Sequence, residues 1–280
     1  MEERTVGRLT LVGTPIGNLG DFSPRALEAL RDCDFIAAED TRVTLKLLNH
    51  FGVTKPLISY FEHNKRERGE VICERLEKGE NGVLVTDAGM PAISDPGEDL
   101  VALCHERGIP VGVVPGPTAV TSALALAGLP TGRFTFEGFL SVTKRERREH
   151  LESLREERRT MVFYEAPHKL RNTLDDLLSF FGDREIALVR EISKIHEEVI
   201  RTTLAGAVDR YRETEPRGEY VLVVAGAKPA EAPTLTVSQA VALAGRYMAE
   251  GCSASDAAKK AAAESGLKKG EIYRLLTQEE

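Results

Sequence analysis

The sequence predicts two α/β domains, the first on a parallel sheet and the second on a mixed sheet, followed by a small helical extension. Three observations predict it. Five short apolar runs alternate with helical patterns over roughly the first 125 residues, and that alternation builds parallel sheets because each crossover requires a helix. From Phe134 onward the apolar runs lie closer together, with only short helical stretches between the last of them. Such spacing favours mixed or antiparallel pairing. Past residue 236 the composition becomes Ala- and Lys-rich. The expected boundaries are 1–129 and 130–226 for the two domains, meeting at Leu129-Pro130, then a linker over 227–236 and helices over 237–280.

Length and composition narrow the class. The chain has 280 residues, of which 42% are hydrophobic, enough for a sizeable core. No apolar run approaches the roughly 18 residues needed to span a bilayer. The leading MEERTVGR lacks the apolar middle of a signal peptide, so a cytoplasmic location is expected. Cys33, Cys73, Cys104 and Cys252 form no C-x-x-C pair, which argues for apolar filling rather than a disulfide framework or zinc site. The histidines form no H-E-x-x-H, so a protein-bound metal has little support. A net charge of −7 means that any nucleic-acid partner is met by a local basic patch, not by the global field.

The elements follow in order. Arg8–Gly13 is a strand entering the polar loop Thr14–Asp21, and Ser23-Pro24 starts a helix with an N-cap and Pro at its first position. Asp34–Ala38 is a second strand, ending at Glu39-Asp-Thr-Arg42 before a leucine-bearing helix. Leu57–Phe61 is a third, ending in Glu62-His63-Asn64 before a charged helix from Lys65. Val83–Val85 is a buried strand running into Asp87-Ala-Gly-Met-Pro and Ser94-Asp-Pro-Gly97. Val111–Val114 leads into Pro115-Gly-Pro-Thr118 and the small-residue helix Ala119–Ala127. In the second half, Phe134–Phe139, Met161–Tyr164, Glu185–Glu191, Val199–Leu204 and Tyr220–Ala225 are strands. Lys144–Arg159 is charge-dense, which by pattern alone is a solvated helix face. Ser238–Glu250, Ser253–Ser265 and Glu271–Leu276 are helices with helix-turn-helix spacing.

In a parallel sheet the carboxyl ends of the strands converge on one edge, where α/β ligands bind. Thr14–Asn18, Glu39–Arg42, Glu62–Asn64, Asp87–Asp95 and Gly116–Thr118 should therefore share a rim. There is no G-x-x-x-x-G-K-[ST], no G-x-G-x-x-G and no G-x-S-x-G, which removes the P-loop, the dinucleotide fingerprint and the serine-hydrolase elbow. What remains is a cleft of small residues, backbone and carboxylates, suited to a nucleoside-containing cofactor.

Six ordered motifs carry a resemblance: Thr14-Pro-Ile-Gly-Asn-Leu, Ala37-Ala-Glu-Asp-Thr-Arg42, the Asp87–Gly97 loop, Pro115-Gly-Pro, Glu137-Gly-Phe-Leu140, and Phe163-Tyr-Glu165 with His168. From Arg8 to Gly226 the chain resembles the small-subunit ribosomal RNA methyltransferases, the cytidine 2′-O-methyltransferases of the tetrapyrrole methylase superfamily. The resemblance implies a homodimer of two-domain chains with S-adenosylmethionine in the cleft. It implies methyl transfer to the ribose of a decoding-centre cytidine in 16S rRNA, naked or in the 30S subunit. Carried over by motif, Pro15, Asp87, Ala88, Gly89, Ile93, Ser94, Asp95, Gly116, Thr118, Ala119, Tyr164 and Ala225 are cofactor residues. Met90 stands where the family pattern has Thr, and Ser141 where it has Pro.

A ribose hydroxyl is a weak acid, so a base or an alkoxide-stabilising group helps the transfer. Glu39, Asp40 and Arg42 form the leading substrate-side cluster, with His63 as a further candidate; the competing reading of the cluster is an Arg–carboxylate pair holding a helix N-terminus. Given the resemblance, Lys144, Arg145, Arg147 and Arg148 become candidate phosphate contacts, while Lys194 and His196 could meet RNA or a dimer mate. A small-molecule methyltransferase of the cobalamin pathway on the same fold is the alternative, and a DNA-binding regulator using the C-terminal helices is remote.

Overall fold

The first sheet is made of runs too apolar to face water. β1 (Leu9–Val12), β2 (Phe35–Ala38), β3 (Leu57–Ser59), β4 (Gly82–Val85) and β5 (Val111–Val114) pair in parallel in the order β3-β2-β4-β1-β5. Every residue of β2 and β4 is buried, as strands covered on both faces must be. The computed structural model describes residues 6–228 and 235–277. The helices α1 (Pro24–Asp32), α2 (Thr41–His50), α3 (Lys65–Glu77), α4 (Glu98–Glu106) and α5 (Ala119–Ala127) follow the strands in turn.

Strand alternation sorts the core into two layers. Ile36, Ala38, Val83 and Val85 pack with Ala26 and Leu30 of α1 and Leu48 of α2. Phe35, Ala37 and Leu84 point the other way, onto Ile72 and Leu76 of α3 and Leu100 of α4. Cys73 and Cys104 meet in that second layer with sulfurs 3.9 Å apart and no exposure, as apolar filling. At the start of α1 the Ser23 hydroxyl accepts from the Ala26 amide at 3.1 Å, with Pro24 at the first helical position.

The second sheet has the order β6-β7-β10-β8-β9, from β6 (Phe134–Phe139), β7 (Thr160–Glu165), β8 (Glu185–Arg190), β9 (Glu198–Thr203) and β10 (Tyr220–Val224). β6 runs parallel to β7 and the other pairs are antiparallel, so the sheet is mixed. Its helices are α6 (Lys144–Ser153), α7 (Leu170–Phe181) and α8 (Leu204–Glu213). α8 is a full ten-residue helix where only a short stretch is expected from the sequence. The α5 residues Val120, Ala123, Leu124 and Ala127 pack on Val162, Ala187, Val189, Val221 and Val223 of this sheet. Small side chains on α5 permit that close approach.

The chain divides into two compact units between Ala227 and Lys228. The second unit holds α9 (Val237–Ala249), α10 (Ala254–Ser265) and α11 (Lys269–Leu276) around an alanine core of Ala240, Ala244, Ala257, Ala258 and Ala261, with Ile272. Thr236 and Gln239 form a capping box at α9. Most of the linker expected over 227–236 lies outside the described residues. Among the described residues no helix is long and apolar enough to cross a membrane.

Candidate active site

The strand order brings the loops after β1, β4 and β5 side by side, and the sequence then clamps them. Thr14 and Gly89 exchange backbone hydrogen bonds at 2.9 and 3.1 Å, and the Thr14 hydroxyl donates to the Thr86 carbonyl at 3.1 Å. Gly89 has φ +95°, a conformation that L side chains resist. Gly116 lies so close to Gly13 that a Cβ there would sit 2.8 Å from the Gly13 Cα. The Gly116 amide donates to the Met90 sulfur at 3.3 Å, so a thioether links these two loops. Ala92 and Ser94 adopt left-handed φ values of 67° and 64°. Such strain, of order 1–3 kcal/mol per residue, collects where a loop is held for a ligand.

These loops form one wall of a cleft of about 760 Å³, within the usual range for small-molecule sites. Ile16, the Asp87–Met90 segment, Ile93–Asp95 and Thr118–Thr121 line that wall. The second sheet supplies the other, with Phe136, Phe139, Tyr164, Val189 and Val221. The Tyr164 ring stands edge-on to Phe136 and Phe139, centroids 5.0 and 5.4 Å away. Three carboxylates, Glu39, Asp87 and Asp95, enter this largely apolar space from the first wall. Burial, followed by the charges of Glu39 and Asp87, pushes the Asp95 carboxyl up to about 6. Loss of solvent raises Asp87 as well, opposed by the Asp40 amide that donates to it at 3.1 Å. Glu39 is held by the Thr86 hydroxyl at 2.6 Å. Apolar and aromatic walls for a heterocycle, with carboxylates for hydroxyls and a cation, fit S-adenosylmethionine.

The expected residues divide by position. Asp87, Ala88, Gly89, Ile93, Ser94, Asp95, Thr118, Ala119 and Tyr164 line the cleft, as does Glu39. Pro15 faces a neighbouring cavity instead, and its successor Ile16 takes the cleft wall. Gly116 acts through the close backbone contact. Ala225 does not line the cleft: β10 runs antiparallel to β7, so the start of β10, with Tyr220 and Val221, reaches the site. The Ala225 amide instead donates to the Glu185 carbonyl at 2.9 Å.

Asp40 accepts from the Arg42 amide at 2.8 Å at the N-terminus of α2 and chelates the Arg42 guanidinium. That partner lowers its carboxyl to about 2. The pair therefore braces a helix end, and the Arg42 side chain is 87% exposed. His63 is exposed outside the cleft, its ring 6.3 Å from that of Phe61. Glu165 is buried and accepts from the Thr173 hydroxyl and the Ala166 amide. Lys194 lines the cleft while donating to Glu191 and Glu219 at 3.0 and 2.8 Å.

The basic segment divides as well. Arg147 donates to Asp176 at 2.6 Å and to Thr173 at 2.8 Å, and is 15% exposed, so it ties α6 to α7. Arg145 pairs with Glu149 at 2.8 Å. Lys144 and Arg148 are exposed and make no ion pair among the described residues. Ser141 accepts from the Thr143 amide and donates to Glu146 at 2.7 Å, ordering the turn into α6.

The sequence model of the tetrapyrrole (corrin/porphyrin) methylases matches residues 8–208. A Synechocystis protein named ribosomal RNA small subunit methyltransferase I is 47% identical, covering 96% of this chain and 97% of its own. The Bacillus subtilis protein of that name is 42% identical over 96% of this chain and 93% of its own. The Thermotoga maritima one is 47% identical over 79% of this chain and 99% of its own. Among solved structures, a cobalt precorrin-4 methyltransferase superposes with a TM-score of 0.59 at 18% identity, covering 80% of this chain and 97% of that one. A Thermus thermophilus uroporphyrin-III C-methyl transferase, complexed with S-adenyl homocysteine, gives 0.54 at 21%, covering 78% and 97%. At such identities these structures speak for the fold.

Proposed function

This chain belongs to the tetrapyrrole (corrin/porphyrin) methylases, and on that footing we propose that it transfers a methyl group from S-adenosylmethionine to the ribose 2′-oxygen of a decoding-centre cytidine in small-subunit rRNA. The observation that carries the reading is near-full-length identity of 42–47% to proteins named for that RNA. The cleft supports it with walls that suit an adenosyl group and carboxylates that suit a cation.

When bound, S-adenosylmethionine supplies an electrophilic methyl group and departs as the thioether. The chain's own residues do the rest. The Asp87–Asp95 loop, Thr118, Ala119 and Tyr164 would hold the cofactor, and the Asp95 carboxylate would balance its positive charge. Alignment of nucleophile and methyl is worth up to about 7–11 kcal/mol in well-oriented systems. The hydroxyl proton passes to a carboxylate of the Glu39–Asp87 cluster, while Asp40 and Arg42 keep the start of α2 in place. Lys144 and Arg148 meet phosphate, with His63 at the outer rim. We further propose 1–129 and 130–226 as the two catalytic domains, and a cytoplasmic homodimer using exposed apolar groups such as Val142, 78% exposed, and Ile195, 97% exposed. The net charge of −7 favours the shaped 30S particle over naked RNA.

Tritium transfer from labelled S-adenosylmethionine to 30S subunits, naked 16S rRNA and a porphyrinoid precursor tests the assignment. Label is expected on rRNA, recovered as 2′-O-methylcytidine. Label confined to the porphyrinoid would overturn it in favour of small-molecule methylation.

A further inference from the structure

Two smaller cavities border the large cleft, and they differ in charge. One, of about 500 Å³, is lined by Phe61 and four carboxylates, Glu39, Glu62, Asp95 and Glu98. The other, of about 340 Å³, lies over α2 between the ends of β1 and β4. Its walls are Pro15, Leu19, Val43 and Leu47, and Lys46 and His50 stand on its helix side. Asp87 is its one carboxylate, and Thr86 and Asp87 are shared with the large cleft.

Resting on the function proposed above, we infer that the α2 cavity receives the target nucleotide, with the base between Leu19, Val43 and Leu47, and the flanking phosphates at Lys46 and His50. Four observations carry this. A polyanion is repelled by the four-carboxylate cavity but not by this one, where the Lys46 charge offsets Asp87. Leu19 and Val43 are large apolar groups left 44% and 37% exposed, which is the surface a flat, extruded base covers. Thr44 lines the cavity, is 3% exposed, and its hydroxyl has no hydrogen-bond partner among the described residues. A buried polar atom in that state calls for an explanation, and the polar edge of a pyrimidine supplies one. Last, Asp87 is the carboxylate common to this cavity and the cofactor cleft, so a ribose placed between them presents its hydroxyl to the methyl donor and its proton to Asp87.

The decisive variant is Thr44→Val, which keeps shape and removes only the hydroxyl. A merely structural Thr44 predicts unchanged RNA binding and an equal or higher Tm, because an unpartnered group is lost. The inference predicts that same Tm together with a KM for rRNA raised about 3–10-fold, the effect of one hydrogen bond, at unchanged affinity for S-adenosylmethionine. Lys46→Glu should raise KM more steeply and flatten the salt dependence, whereas Phe61→Ala, in the acidic cavity, should leave KM unaltered. Methyl transfer by the unaltered protein tests the functional reading separately. Filter binding of 16S rRNA tests the cavity whether or not methyl is transferred. Full RNA affinity in both Thr44→Val and Lys46→Glu overturns the inference, as does a loss confined to Phe61→Ala.

Discussion

Asp95 carries a charge that the folded protein disfavours. Its carboxyl sits near 6 against an ordinary 3.8. The folded state therefore binds the proton more tightly, and stability falls as pH rises from about 4 to 6, then stays level. Asp95→Asn should melt above the unaltered protein at pH 7.5, with the gap closing by pH 4; equal Tm at pH 7.5 would contradict this. If Asp95 balances the cofactor's cation as proposed, affinity for the cofactor should weaken as pH drops below 6, because the carboxylate loses its charge, and titration across pH 5–7.5 measures it. Arg147 and Arg148 make a second contrast, since they are neighbours in sequence with different work. Arg147→Ala should lower Tm by breaking the tie to Asp176 while Lys144→Glu/Arg148→Glu leaves Tm unchanged and weakens rRNA binding. No local pattern distinguishes them, because the partner that claims Arg147 lies 29 residues away. The same holds for Asp40 and Arg42: their types and spacing are visible in the sequence, but their mutual chelation is a matter of side-chain geometry.

Elements were the most legible level. Apolar runs pointed to all ten strands of the described residues, and local signals to helix N-caps such as Ser23, because two-sided burial and capping are local demands. α8 was the exception. Leu204, Ala207, Val208 and Tyr211 follow helical spacing and are buried, yet they follow directly on a strand, and the change of period is hard to see across so short a joint. Ala225 was carried over by motif; it lies at the end of β10, whereas Tyr220 and Val221 at the start of that strand line the cleft, because β10 runs antiparallel to β7. The helical unit has its own core and its own caps. A chain ending at Ala227 should therefore fold and bind S-adenosylmethionine with unaltered affinity, in keeping with the Thermotoga relative, whose near-complete length aligns with 79% of this chain. Calorimetry on the shortened protein checks this; loss of cofactor binding would assign the helices a part in the site.

The whole unit of two sheets is organised around one clamp. The β1, β4 and β5 loops are joined by the Thr14–Gly89 bridge and by the Gly116 amide on Met90, and the cleft takes its shape from where they are held. A thioether in that position makes the clamp sensitive to the redox state of its surroundings. Peroxide converts methionine to a bulkier, polar sulfoxide that methionine sulfoxide reductases restore. Met90 is partly exposed and borders the cleft, so an oxidant can reach it. Peroxide treatment should lower cofactor affinity reversibly, and Met90→Thr should remove the effect; isothermal titration before and after reductase treatment measures both. A methylase built this way would slow under oxidative stress without any separate sensor.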